Sequence, residues 1–445
     1  MTNRRSFLKQ ASLASAPFIL PSHIWSAKGD SSPNSRINVA IIGPGKMGRG
    51  HAHKLIRNPR AQVTGFAEIA DVRTRHTKDL IERHYSKNTS GDKWKGLKIT
   101  KDYLELLEDK SLDAVLIATP DHWHAIQTIG ALDAGKDVYC EKPLTHNVHE
   151  SVEVMKAVKR NKRILQTGSM QRSSREFRIA CELVRNGVIG DVKRTAVNIG
   201  GPGIPCNLKT EKDEPGLDWN MWVGPGPMRG YSSVLSPRGV HNHFPNWRTY
   251  KEYGGGMVCD WGAHMIDIIQ WGLNKDSSGP VATIPAKDSK AMKGAQLVYA
   301  GDIHMMHGEG QGATFYGTDG RVECHRGLLG LYKGDKLIAG KANRNDKNRN
   351  LNQELDRIEK EILKDAKVKL YKSQGHIPNF LYAMKTRKRP ITDEVVGART
   401  SIACHLLNQT YYNQAAIAWN PQKNTFAKGG DPKWLTRDYR GDWKV

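Results

Sequence analysis

The chain has 445 residues, 38% apolar and 25% charged, with 43 glycines, a globular profile with apolar material for two cores. Its net charge of +23 could draw nucleic acid, anionic lipid or an acidic substrate. The excess is scattered, however, with no interleaved aromatics and no nucleic-acid-binding motif, which argues against nucleic acid and reads as a solvated basic surface, with acidic saccharides as the alternative.

Residues 1–27 read as an address and not as part of the fold. Asn3-Arg4-Arg5-Ser6-Phe7-Leu8-Lys9 precedes a weakly apolar run from Ala11 to Leu20, which is shorter than the about 20 residues a membrane-spanning helix needs. The segment resembles a twin-arginine export signal, with Asn3 where Ser or Thr is usual. It implies the twin-arginine export machinery as a partner, a periplasmic location, and no integral membrane segment in the mature chain. Trp25 fits poorly at a cleavage site near Ala27, so an uncleaved anchor stays open. The route exports folded proteins, so a cofactor loaded in the cytoplasm can travel inside its enzyme and would have to be held tightly.

Ile37–Ile42 is a short apolar run, predicted to be a buried parallel strand, and it leads straight into Gly43-Pro44-Gly45-Lys46-Met47-Gly48. In such a GxGxxG loop the first glycine turns, the second admits a pyrophosphate, and the third lets the next helix pack on the strand. The helix start supplies free N–H donors, so Gly43, Gly45, Lys46, Met47 and Gly48 are assigned to cofactor. A second predicted strand, Val63–Ala67, ends at Glu68, twenty residues after Gly48. A carboxylate there can accept both ribose hydroxyls and would repel a 2′-phosphate, which favours NAD over NADP, although Arg73 and Arg75 lie close. Predicted strands over 114–118, 137–140 and 163–167 follow at βαβ spacing. Their carboxyl ends carry Thr119-Pro120-Asp121-His122-Trp123-His124 and Glu141-Lys142-Pro143, where an open α/β sheet binds its ligands.

Residues 257–273 read as a buried helix, apolar almost all round, with Asp260, His264 and Asp267 forming one polar stripe. Unpartnered buried polar groups cost about 1–3 kcal/mol each, so the stripe should face a polar partner or a substrate. A helix cap at Asp260 and a satisfied core histidine at 264 are the bland alternative. Just upstream, Trp247, Arg248 and Tyr253 offer aromatic faces and paired donors for a sugar, as do Trp123 and Arg172 nearer the cofactor loops. His241 and His243 have no acidic or cysteine partner at usable spacing, and no metal site is expected. The six cysteines, at 140, 181, 206, 259, 324 and 404, form no CxxC pair.

The GPGKMG loop, ATPDHWH, EKPLT and DWGAH, in this order, resemble the Gfo/Idh/MocA oxidoreductases over nearly the whole chain after residue 36. The resemblance implies a Rossmann dinucleotide-binding domain followed by an α/β domain with a large, mainly antiparallel sheet, and a homodimer or homotetramer. By motif, Lys142 corresponds to the family's catalytic lysine, and Asp260 and His264 to its aspartate–histidine pair. The expected divisions are the signal at 1–27, the NAD-binding domain at 36–168, the substrate domain at 169–420 and a tail at 421–445. Thr119, Pro120, His124, Glu141, Lys142 and Gln171 are expected around the nicotinamide.

Histidine suits proton transfer near neutral pH, so His264 is expected as base. Asp260 would orient the hydroxyl or imidazole, and Lys142 would steady the developing alkoxide. The expected activity is hydride transfer between a sugar or glycoside hydroxyl, of a small molecule or an oligosaccharide, and tightly bound NAD. A redox-neutral, NAD-dependent glycoside hydrolase uses the same scaffold, and a non-catalytic saccharide-binding protein is the rival from another class. Further strands are predicted at 192–199, 312–316 and 321–325, helices at 377–384 and 396–416, and a charged surface insertion at 341–372 with a helix near 351–363.

Overall fold

The computed structural model describes residues 36–87 and 96–445. The twin-arginine segment lies outside the described residues. Six parallel strands come first: β1 (Ile37–Ile42), β2 (Ala61–Ala67), β3 (Lys98–Thr100), β4 (Ala114–Ile117), β5 (Asp137–Cys140) and β6 (Leu165–Thr167). They pair in the order β3-β2-β1-β4-β5-β6, so the chain reverses direction across the sheet between β1 and β4. Both faces are covered, which explains why β1 is apolar at every position but Asn38. Val39 and Ile41 pack on one side with helices Lys46–Ile56, Asp71–Ser86 and the distant His376–Thr386. Ala40 and Ile42 pack on the other with Asp121–Asp133 and Val148–Asn161. The crevice at the carboxyl ends of β1 and β4 is the switch point where such sheets bind ligands.

The second sheet has ten strands: β7 (Val192–Val197), β8 (Pro280–Ile284), β9 (Gln296–Tyr299), β10 (Ile303–His307), β11 (Ala313–Gly317), β12 (Arg321–His325), β13 (Leu328–Lys333), β14 (Lys336–Lys341), β15 (Ile417–Asn420) and β16 (Thr425–Lys428). Their order is β14-β13-β12-β11-β7-β10-β9-β8-β15-β16. Only the β7–β10 pairing within it is parallel. Burial alternates along β12: Val322 and Cys324 point into the core while Arg321, Glu323 and His325 are partly exposed. One face is thus packed, against helices Arg175–Arg185 and Gly262–Gly272.

Two expectations need correction. The stretch expected as one helix from 257 to 273 is two, Gly256–Asp260 and Gly262–Gly272, broken at Trp261. In a continuous helix the His264 amide would bond the Asp260 carbonyl. Here the Lys142 ammonium takes that carbonyl at 3.0 Å, and the His264 amide bonds Trp261 O instead. Second, 341–372 is not a surface insertion throughout. Leu355 and Ile358 are fully buried in the second core, and Glu359 is clamped by Arg175 and Arg178.

The C-terminal residues are stitched across the molecule. β16 lies on the second sheet, and Trp443 packs edge-on against Trp123, with 4.7 Å between ring centres. Arg437 pairs at 2.8 Å with Glu150, which is wholly buried.

Candidate active site

The dinucleotide loop is built as the spacing requires. Gly43 adopts φ +76°, and a Cβ there would come within 2.8 Å of Thr119 Cγ2. A Cβ on Gly48 would meet the Gly43 carbonyl at 2.5 Å. Around Gly45, by contrast, a Cβ would meet nothing within 4 Å. This open space faces the start of helix Lys46–Ile56, which has no side-chain cap and no acidic residue in its first turn. Unmet N–H groups at a positive helix end, with room beside them, fit a pyrophosphate.

A cleft of about 920 Å³, open to solvent, extends from this loop. Gly43, Gly45, Lys46, Met47, Thr119 and Pro120 line it from the Rossmann side. Glu68 lies in it, with its carboxylate accepting from the Ala70 amide at 3.0 Å and near Arg73 Nε at 3.5 Å. Burial pushes this carboxyl up, and the Arg73 charge opposes that. Trp123, Trp247 and Arg248 form further wall. Leu235 to Pro237 close the cleft from the second half of the chain. That segment is latched: Arg49 Nη2 donates to His241 O at 2.5 Å, and Arg73 Nη1 donates to the carbonyls of Pro237 and Gly239 at 3.2 Å.

At the end of β5 the chain enters a cis Lys142–Pro143 bond, and Lys142 meets the broken helix. Its ammonium lies 2.5 Å from Asp260 Oδ1, and Arg248 Nε approaches the same oxygen at 3.3 Å. Burial alone would raise the Asp260 carboxyl, but the Lys142 and Arg248 charges hold it at about 2. His264 is buried, and its Nδ1 has no hydrogen-bond partner. Burial, with the Lys142 and Arg326 cations, keeps its pKa well below the ordinary histidine range. The site therefore sets a neutral imidazole beside an ionised carboxylate and an ammonium. Arg248 belongs both to this cluster and to the cleft wall, so the two are continuous.

Residues 37–169 match the NAD-binding Rossmann-fold model of the GFO_IDH_MocA oxidoreductases, and residues 205–318 match that family's C-terminal α/β domain. The chain belongs to the Gfo/Idh/MocA oxidoreductase family. Curated relatives include an inositol 2-dehydrogenase of Mycolicibacterium vanbaalenii, 33% identical over 35% of this chain and 43% of the relative. The myo-inositol 2-dehydrogenase of Thermotoga maritima is 31% identical over 38% of this chain and 47% of the relative. The chain thus spans about half the length of the curated relatives it matches. Among solved structures, the WlbA dehydrogenase of Bordetella pertussis, in complex with NADH and UDP-GlcNAcA, shares the fold at TM-score 0.55 and 14% identity, over 86% of this chain and 98% of that one. The aldose-aldose oxidoreductase of Caulobacter crescentus does so at TM-score 0.54 and 15% identity, over 86% and 99%.

In this Gfo/Idh/MocA chain several side chains lie away from the positions expected of them. Arg172 does not face a substrate: it is 2% exposed, gripping Asp267 at 2.8 Å and Asp276 at 2.7 Å. Tyr253 is fully buried, its hydroxyl donating to Pro227 O. His124 does not line the cleft: its ring nitrogens sit 2.7 Å from Pro143 O and 2.9 Å from Thr119 O, tying the two loops together. Glu141 is likewise internal, with His51 Nε2 at 2.6 Å. Gln171 packs against helix Gly262–Gly272, its Nε2 3.8 Å from Met265 Sδ, and its Oε1 accepts from Arg326 Nε. Trp123 lines the cleft, but its indole N–H is taken by the Met221 and Trp222 carbonyls, which leaves only its ring for a ligand.

Sequence reasoning missed the latch arginine Arg49, the buried carboxylate Asp121 and the cation Arg326. Asp121 could have been found, since it sits within the Thr119–His124 segment. Burial pushes its pKa far up, against the pull of the Lys142 and Arg248 cations and with the Asp260 charge adding to the rise. Arg326 lies in the turn after β12 and stacks over the Trp261 ring at 4.8 Å. No local pattern marks a turn residue of this kind.

Burial also holds His122 at about 3, His307 and His376 at about 4, and His124, His146 and His264 below the ordinary range. In the unfolded chain these imidazoles take protons near pH 6.5, so acid favours unfolding. Each contributes up to about 1.4 kcal/mol per pH unit below that point. His405, whose pKa is raised, offsets one of them. Asp260 and Glu141, both held near 2, stay ionised through this window. Thermal unfolding should show Tm dropping steeply from pH 7 to pH 5. A flat profile would contradict the neutral burial of this set.

Proposed function

We propose that this protein oxidises or reduces a sugar or glycoside hydroxyl using NAD held in the cleft. The observation that carries the reading is the contact of Lys142 with Asp260, within electrostatic reach of His264, where Arg248 joins them to the cleft. When bound, the nicotinamide would supply the hydride acceptor or donor. The chain's own residues would manage the proton. Lys142 has three N–H donors, of which Asp260 occupies two through its carboxylate and carbonyl. The third can meet a substrate hydroxyl and steady its developing negative charge. Neutral His264 can take the hydroxyl proton, and ionised Asp260 would offset the imidazolium that results.

Glu68, buried beside the second strand's end, supports NAD over NADP, because a 2′-phosphate would meet its carboxylate. Arg73, the nearest cation, is committed to Glu68 and to two carbonyls. The latched segment over the cleft supports a retained cofactor, as an exported enzyme would need. The Arg326 guanidinium over Trp261 adds a cation and an aromatic face near His264, a pairing that suits acidic sugars.

The test uses protein as isolated. Mass analysis of the released dinucleotide should show no 2′-phosphate. Incubation with neutral and acidic sugars and nitrophenyl glycosides, following nicotinamide absorbance together with aglycone release, should show reduction without release. Release without lasting reduction would replace this reading with a redox-neutral hydrolase.

A further inference from the structure

A second cavity, partly open to solvent and with about 690 Å³ of empty space that includes its mouth, lies behind the loops carrying Lys142 and Asp260 and is separate from the cofactor cleft. His146 and Asn147, just past Lys142–Pro143, form one wall, and Gly254 and Gly255, just ahead of the helix carrying Asp260, form another. Lys251, Asn408, Tyr412 and Arg437 complete most of the rest. The lining contains cations, amides, hydroxyls and aromatic rings, and no carboxylate.

The nearest acid is already consumed. Glu150 accepts from Arg437 Nε, the Tyr439 hydroxyl and the His146 amide. Four buried polar atoms of the lining residues have no partner: His146 Nδ1, Asn147 Nδ2, Asn408 Oδ1 and Arg437 Nη1. His146 is 9% exposed and Asn408 2%. Buried polar atoms are almost always paired, so four around one cavity point to a ligand that pairs them. The charge of Arg437 is matched by Glu150, so it offers the free Nη1 donor, while the ammonium of Lys251 at the rim selects negative charge and Asn408 Oδ1 suits a hydroxyl donor. Tyr412 and Trp434 would cover a short carbon skeleton.

We propose that this cavity binds a small oxyanion, either a hydroxylated carboxylate or inorganic phosphate. Its walls are the segments that carry Lys142 and Asp260, so an occupant would brace the catalytic pair from behind.

The NAD-loaded full chain is titrated calorimetrically with gluconate, citrate and phosphate at constant ionic strength, because a chain of charge +23 attracts anions nonspecifically. Saturable one-to-one binding by at least one of them is expected. Gluconate or citrate alone would identify an organic carboxylate, and phosphate alone the inorganic ion. Lys251→Glu and Thr436→Glu change exposed lining residues, so the buried network and the fold should survive. Each should weaken binding at least about tenfold, a loss of about 1.4 kcal/mol. His264→Ala, in the other site, should leave binding unchanged. No saturable binding by any of the three, or binding that both glutamate variants retain in full, would overturn the proposal. This outcome is independent of the catalytic reading, which the sugar panel tests.

Discussion

His264→Ala should lower turnover by about 10²–10⁴-fold, the usual contribution of a positioned general base, while the dinucleotide stays bound. The reason is geometric. His264 lies in helix Gly262–Gly272, beyond the break at Trp261, whereas the pyrophosphate cradle is formed by Gly43–Gly48 and the start of the next helix. The two share no side chain. The imidazole is held neutral by burial and by the Lys142 and Arg326 cations, so it enters the reaction able to accept a proton at neutral pH. His264→Gln is the companion variant: it keeps much of the volume and cannot act as a base in this range. It should be as inactive as the alanine variant, with the same dinucleotide content by absorbance and mass. Turnover like the parent protein in either variant would remove His264 from the mechanism, and loss of dinucleotide together with activity would assign it a structural part.

Arg172→Leu should cost about 3–5 kcal/mol of stability, the range for breaking a buried ion pair from one side. Arg172 makes two bonds to Asp267, at 2.9 and 2.8 Å, and two to Asp276, at 2.9 and 2.7 Å. Asp267 is 0% exposed, so the substitution strands its carboxylate in the core with only Thr400 Oγ1 to donate to it. Burial already pushes that carboxyl up. The double variant Arg172→Leu with Asp267→Leu should recover much of the loss, since apolar replacement of both partners is often neutral or stabilising. Denaturant midpoints measure both effects. In whatever fraction folds, KM should stay at its parent value. A stable variant with a raised KM would return Arg172 to the substrate site.

That arginine marks where reading the chain alone ran out. Its paired donors near the cofactor loops made a sugar the expected partner of Arg172. The carboxylates that claim it lie 95 and 104 positions away. Tyr253 and His124 went the same way: each has the right chemistry for a ligand, and each was taken by a carbonyl brought to it by the fold. Lys142, Asp260 and His264 were recognisable from motif order and from a polar stripe on an apolar helix. Their contact, and the helix break that Lys142 enforces by taking the Asp260 carbonyl, were not.

The sequence by itself determined the strand, loop and helix around Gly43–Gly48, the alternation of strands and helices up to β6 apart from the three-residue edge strand β3, and the polar stripe on an apolar segment. These are local signals, written in glycine positions and hydrophobic periods within a window of about ten residues. Seven of the ten strands in the second sheet left no such signal; β14, for example, is Lys336–Lys341, with only Ala339 and Gly340 buried. The tertiary structure alone decided how the 235–248 segment closes the cleft, which arginines latch it, and which charged side chains face a ligand. A charge takes its partner from whatever the fold brings within a few ångströms, and burial fixes how strongly it holds it.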